Sequence, residues 1–210
     1  KYHATVVLAT SQFMPALAVS IEDALRVLQE GEGDHVQPML DKVAVVGHSM
    51  GGLLAANYAA TASQLGLPQP KAVMCIQPGA STMLPLEDLS KIPQGTLLLS
   101  VVTDRDEIVG DADAITIYQR AVQIDPADKS YITIHSDLHS RPPLLADHAA
   151  PIALNDTYDA LVMEGKIDEV PIHIWYEQPP DALDYYGFWK LFDGLTDAAF
   201  HDKHRDYALG

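Results

Sequence analysis

Val43-Ala44-Val45-Val46-Gly47-His48-Ser49-Met50-Gly51 is the stretch that decides the fold. Four consecutive apolar residues suit a strand covered on both faces, as in a parallel sheet. Just beyond it, Leu53-Leu54-Ala55-Ala56-Asn57-Tyr58-Ala59-Ala60 is rich in strong helix formers. Strand, tight turn and helix therefore follow one another with no intervening loop. Glycines at 47 and 51 leave room for the strand and helix to approach closely while the serine between them is held outward.

The same alternation extends in both directions. Towards the N-terminus, Thr5-Val6-Val7-Leu8-Ala9 is of strand length, and residues 15–30 carry Leu17, Ile21, Ala24, Leu25 and Leu28 at helical spacing. Gly31-Glu32-Gly33-Asp34 ends that helix. Towards the C-terminus, residues 71–76 predict a strand broken by Gln77-Pro78-Gly79, 96–102 another strand, 112–122 a helix and 131–135 a strand. Sequential strand and helix units predict an α/β fold, a predominantly parallel sheet flanked by helices. With no linker-like tract, residues 1–210 read as a single domain. Beyond Pro151 the pattern weakens to a helix at 155–165, a short strand at 170–175 and an amphipathic helix at 181–200, so 151–210 are expected to pack as a C-terminal helix or small cap.

Composition narrows the function. Asp and Glu total 29 against 13 Lys and Arg, a formal charge of −16, which repels nucleic-acid backbones and anionic lipid surfaces. Apolar residues make up 48% of the 210, enough for a globular core, yet no run approaches the ~18 residues of a membrane span. The N-terminus lacks the layout of a signal peptide, and one cysteine, Cys75, forms no internal disulfide. Secreted and cytoplasmic settings both stay open, as does the oligomeric state.

GxSxG alone arises by chance in about one chain in fifteen of this length. Its position between an apolar strand and a helix makes it a nucleophile elbow, with Ser49 as nucleophile and the Met50 N–H at the helix start as a donor to an oxyanion. On these residues the sequence resembles the α/β-hydrolase family of serine esterases and lipases. The resemblance implies hydrolysis of a small-molecule or lipid-like carboxylic ester through an acyl-enzyme, with no cofactor and no metal. Amidase, thioesterase, polyester-hydrolase and acyltransferase chemistry share the same machinery.

The resemblance also implies a chain order of serine, acid, histidine. After the strand at 96–102, Asp104-Arg105-Asp106-Glu107-Ile108-Val109 looks like the family's acid loop, in which one variable residue and two aliphatics follow the carboxylate; Asp106 fits best, with Asp104 and then Glu107 as alternatives. After the strand ending at His135, His139 is the expected base and His148 its rival, while His135 is assigned to the strand.

The sequence departs from the family upstream. No His-Gly pair precedes Gly47, only 48 residues precede Ser49, and residue 1 is Lys, so the second oxyanion donor stays unassigned and a missing upstream portion is expected. That gap motivates an alternative of another class, a non-catalytic binding protein on the same fold, and it leaves the early edge of the sheet open. Nine histidines invite a metal, yet HExxH and paired Cys/His spacings are absent. His48, next to the serine, is expected to pack. Trp175, Tyr176, Tyr185, Tyr186, Phe188 and Trp189 either line an acyl pocket or, in the case of Tyr185, Phe188, Trp189 and Phe192, bury one face of the last helix.

Overall fold

The computed structural model describes residues 10–30, 36–153 and 179–210. The expected strand at 5–9, the helix end at 31–34, the helix at 155–165, the strand at 170–175, and Trp175 and Tyr176 lie outside the described residues. The described elements are α1 (Phe13–Glu30), β1 (Ala44–His48), α2 (Met50–Thr61), β2 (Ala72–Ile76), β3 (Leu97–Thr103), α3 (Ala112–Arg120), β4 (Lys129–Ile134) and α4 (Lys190–His201), the last entered through a wider π-helical turn at Asp184–Trp189.

The four strands form one parallel sheet in the order β1-β2-β3-β4. Alternate side chains of β2 and β3 feed opposite faces, because successive residues of a strand point to opposite sides. Val73, Cys75 and Leu98 pack under α2 and α3 with Leu53, Ala56 and Ile117. Met74, Ile76, Leu99 and Val101 meet Phe188 and Leu195 on the other face. Both strands are buried along their whole length, and each fully buried Leu, Val or Met contributes roughly 1.5–3 kcal/mol. The solid apolar runs that predicted a sheet with two covered faces have this cause.

β1 differs from its expectation. Its only strand partner among the described residues is β2, and Val46 is 49% exposed. Val45 packs on one face and Ala44 on the other, so the apolar run is covered from both sides in part, while Val46 borders a cavity shared with Phe188, Trp189 and Phe192.

α2 is apolar around its circumference because it is sandwiched, with the sheet on one side and Met14, Leu17, Ala18 and Ile21 of α1 close to its Tyr58, and to Ala62 just past its end, on the other. At the junction of β1 and α2, a Cβ on Gly47 would lie 2.0 Å from the Gly51 carbonyl oxygen, and one on Gly52 would lie 2.9 Å from Pro78 Cβ. Gly51 itself faces open space. The close approach inferred from the glycines at 47 and 51 thus rests on Gly47 and Gly52, which the fold cannot exchange for larger residues without moving backbone.

The tail departs from the expectation of four aromatics covering one helix face. Phe188 is buried, but Tyr185 and Trp189 are 53% and 44% exposed and meet each other edge to face at 4.6 Å. The π-helical turn changes the angular spacing of residues 184–189, so positions that a 3.6-residue period would align no longer share one stripe.

Candidate active site

Ser49 sits between β1 and α2 with φ 57° and ψ −125°, a backbone conformation that L-residues rarely adopt. The turn is fixed from three sides. The Ser49 N–H donates to the Ile76 carbonyl at 2.9 Å, and the Ser49 carbonyl accepts from the Gly52 and Gly79 N–H groups at 2.9 and 3.3 Å. These bonds hold the serine at the carboxyl end of the sheet, with the first turn of α2 directly behind it. The N–H groups of that first turn lack acceptors within the helix.

Asp106 lies just past β3, where its Oδ1 accepts from the N–H groups of Ile108 and Val109 at 2.9 and 3.0 Å. The two aliphatic residues after the carboxylate therefore supply the amides that orient it. Its Oδ2 lies 2.7 Å from Nδ1 of His148, and His148 Nε2 lies 3.0 Å from Ser49 Oγ. The Asp106 side chain is wholly buried and that of His148 is 5% exposed.

Asp104, the alternative acid, has other partners than His148. Its Oδ1 accepts from the Ser136 hydroxyl at 2.7 Å and the Ser136 N–H at 3.1 Å, and its Oδ2 lies 3.3 Å from Nδ1 of exposed His135. The Ser136 hydroxyl, then its N–H, holds the Asp104 carboxyl below the usual carboxylate range. His135 falls one residue past the end of β4, outside the strand. Glu107 is exposed in the wall of a neighbouring cavity.

The structure does not bring His139 to Ser49 and Asp106; His148 occupies that place. The correction has a local cause. Asp137 and Leu144 exchange both backbone hydrogen bonds at 2.9 Å, and Asp137 Oδ1 accepts from the N–H groups of His139 and Ser140. His139 is thereby carried, exposed, on a turn that projects from the end of the sheet. The chain then returns beside β3, where the Arg105 N–H donates to the Ala146 carbonyl at 3.1 Å, and this return delivers His148. A sequence signal for the detour exists: Asp137, Ser140, Pro142 and Pro143 are turn formers that enclose His139, whereas His148 follows them.

His48 is more than a packed neighbour. Its Nε2 lies 2.9 Å from the His148 carbonyl oxygen, and the two imidazole rings are 4.7 Å apart. Burial first, and the neighbouring His148 second, push its imidazole down to about 4. An unfolded histidine titrates near 6.5, so between about pH 6.5 and 4 the unfolded chain binds a proton that the folded chain refuses. This contribution to stability is complete above pH 6.5 and is lost as pH falls towards 4, by about 3 kcal/mol. Urea midpoints between pH 7.5 and 4.5 are expected to fall more steeply for the unmodified chain than for His48→Gln; equal slopes would contradict this.

Two cavities flank these residues. One of about 610 Å³ is lined by His148, Arg105, Glu107, Ile108, Leu145 and Ile152 among others. The other, about 550 Å³, lies along β1 between Gly47, His48 and Ile76 on one side and Phe188, Trp189 and Phe192 on the other. Cys75 is fully buried in β2, and burial pushes its thiol up to about 12, so it offers no competing nucleophile. Among the described residues no group of three His, Cys, Asp or Glu side chains is placed to hold a metal ion, and no helix is long and apolar enough to cross a membrane.

A family model described as "alpha/beta hydrolase fold" matches residues 7–145. Among solved structures, the chain is similar to MGS-M1, an α/β hydrolase enzyme from a Medee basin deep-sea metagenome library. That likeness has a TM-score of 0.51 and 19% identity over 95% of this chain and 67% of the other, and at that identity it speaks for the fold alone. A search of curated proteins finds no match to the chain.

Proposed function

The chain belongs to the α/β-hydrolase fold family, and on that footing we propose that it cleaves carboxylic esters through an acyl-enzyme, with Ser49 as nucleophile, His148 as general base and Asp106 as its orienting carboxylate. The observation that carries the proposal is the unbroken relay of 3.0 Å from Ser49 Oγ to His148 Nε2 and 2.7 Å from His148 Nδ1 to Asp106. Both distances are within hydrogen-bond reach of a proton transfer.

Each step assigns one task to each group. His148 Nε2 takes the Ser49 proton as Oγ bonds to the ester carbonyl carbon, and Asp106 stabilises the imidazolium that results. The Met50 N–H, at the positive end of the α2 dipole, donates to the oxyanion. The tetrahedral intermediate collapses, the C–O bond to the alcohol breaks, and His148 returns the proton to the departing oxygen. Water then attacks the acyl-enzyme with His148 again as base, releasing the acid and restoring Ser49. The cavity of about 610 Å³ that His148 lines is of a size for a small-molecule or lipid-like ester.

Incubation with p-nitrophenyl acetate tests the proposal. The expected result is steady release of nitrophenolate and, on acid quench, an acetyl mass increment on the peptide containing Ser49. Equal hydrolysis by the unmodified chain and Ser49→Ala would sink the proposal.

A further inference from the structure

We infer that His48 and Gln77 are positioning residues, side chains from the ends of β1 and β2 that hold the backbone of the His148 turn so that base and nucleophile keep one geometry. The inference rests on the reading of His148 as the base.

Three consecutive carbonyl groups of that turn are gripped from three consecutive strands. The Arg105 N–H, just past β3, donates to the Ala146 carbonyl at 3.1 Å. Gln77 Nε2, just past β2, donates to the Asp147 carbonyl at 2.7 Å, and the Thr103 hydroxyl at the end of β3 reaches the same oxygen at 3.3 Å. His48 Nε2, at the end of β1, lies 2.9 Å from the His148 carbonyl. A carbonyl oxygen only accepts, so the His48 proton sits on Nε2 and the imidazole is the donor. That imidazole is neutral over the ordinary working range because burial pushes it down to about 4.

Gln77 is fully buried at a positive φ of 43°, with its second N–H on Thr103 Oγ1 at 2.5 Å. A long polar side chain is seldom buried outright, and here both of its N–H groups are spent around the His148 turn. The elbow shares the same anchor: the Ser49 N–H is held by the carbonyl of Ile76, the residue before Gln77. Ser49 and His148 are thus referenced to one dipeptide at the end of β2, and His48 joins them directly, being the neighbour of one in sequence and the donor to the other. Hydrogen bonds within the relay alone do not fix the His148 backbone, since the turn carrying it lies beyond the last described strand and after the 137–144 excursion.

Methionine and glutamine have nearly equal length and volume and differ in the N–H donor, so His48→Met and His48→Gln separate the hydrogen bond from packing. For His48→Met the expected results are a fall in kcat on p-nitrophenyl acetate of about 10²-fold with KM little changed, and faster hydrogen exchange in peptides spanning 146–150. His48→Gln is expected to restore both. The inference is overturned if His48→Met keeps its kcat and its exchange protection, or if His48→Gln is as impaired as His48→Met. Where His48→Met does not fold, Gln77→Met carries the same test on the Asp147 carbonyl, with the same expected fall and the same contradiction. If the unmodified chain itself cleaves no ester, the proposed function fails, and the exchange comparison still decides whether the donors hold the turn.

Discussion

Replacing His148 by alanine is expected to lower ester turnover by about 10⁴-fold or more, while His139→Ala turns over as the unmodified chain does. Nothing else in the described residues lies between Ser49 Oγ and Asp106, at 3.0 and 2.7 Å from the two ring nitrogens. Without the imidazole, the Ser49 proton has no acceptor and the departing alcohol no donor, so both halves of the reaction lose their proton transfer. His139 is exposed on its turn, where its backbone N–H donates to Asp137 Oδ1. Steady-state rates of the two variants on one aryl ester check this; a dead His139→Ala beside an active His148→Ala would reverse the assignment.

Asp106→Asn is the second large effect, a loss of about 10⁴-fold in kcat with the fold retained. The asparagine is isosteric, and its carbonyl oxygen can still accept from the Ile108 and Val109 N–H groups that hold Oδ1 now. Its amide nitrogen would then face His148 Nδ1. Two donors cannot share that bond, so the neutral imidazole would carry its proton on Nε2 and offer Ser49 a donor in place of a base. Asp104→Asn loses contacts to Ser136 and His135 alone and is expected to leave turnover intact. Kinetics of the two variants, with the urea midpoint of Asp106→Asn unchanged, check the contrast; equal losses at 104 and 106 would contradict it.

What the sequence discloses and what it hides follow from the range of the forces involved. The elbow is legible because it is local: an apolar strand, a glycine whose Cβ would strike the next turn, and a helix-forming run are contiguous. The parallel sheet is legible for the same reason, since β2 and β3 are apolar at nearly every position where both faces are covered. Asp106 is legible through the two aliphatics whose amides orient it. His148 is harder to find, because its place depends on a turn that lengthens the chain between β4 and the site without moving its ends apart. Counting residues from a strand end measures contour, and the Asp137 to Leu144 pairing makes contour a poor guide to position. Gln77 reads locally as part of a turn with Pro78 and Gly79, and its contacts at Thr103 and Asp147, 26 and 70 residues on, leave no mark on the neighbouring sequence. Of the two readings open to Tyr185 and Trp189, the buried stripe presumes a 3.6-residue period and fails in the wider π-helical turn.

The central claim, that Ser49 is activated through His148 and Asp106, is tested most directly by intact-protein mass after incubation with a fluorophosphonate, followed by peptide mapping. This reagent requires an activated serine and no knowledge of the natural ester. The account predicts a single adduct, located on Ser49, formed by the unmodified chain and by His139→Ala and suppressed in His148→Ala. An unmodified chain that stays unlabelled, an adduct on another residue, or labelling of His148→Ala at the unmodified rate would contradict it.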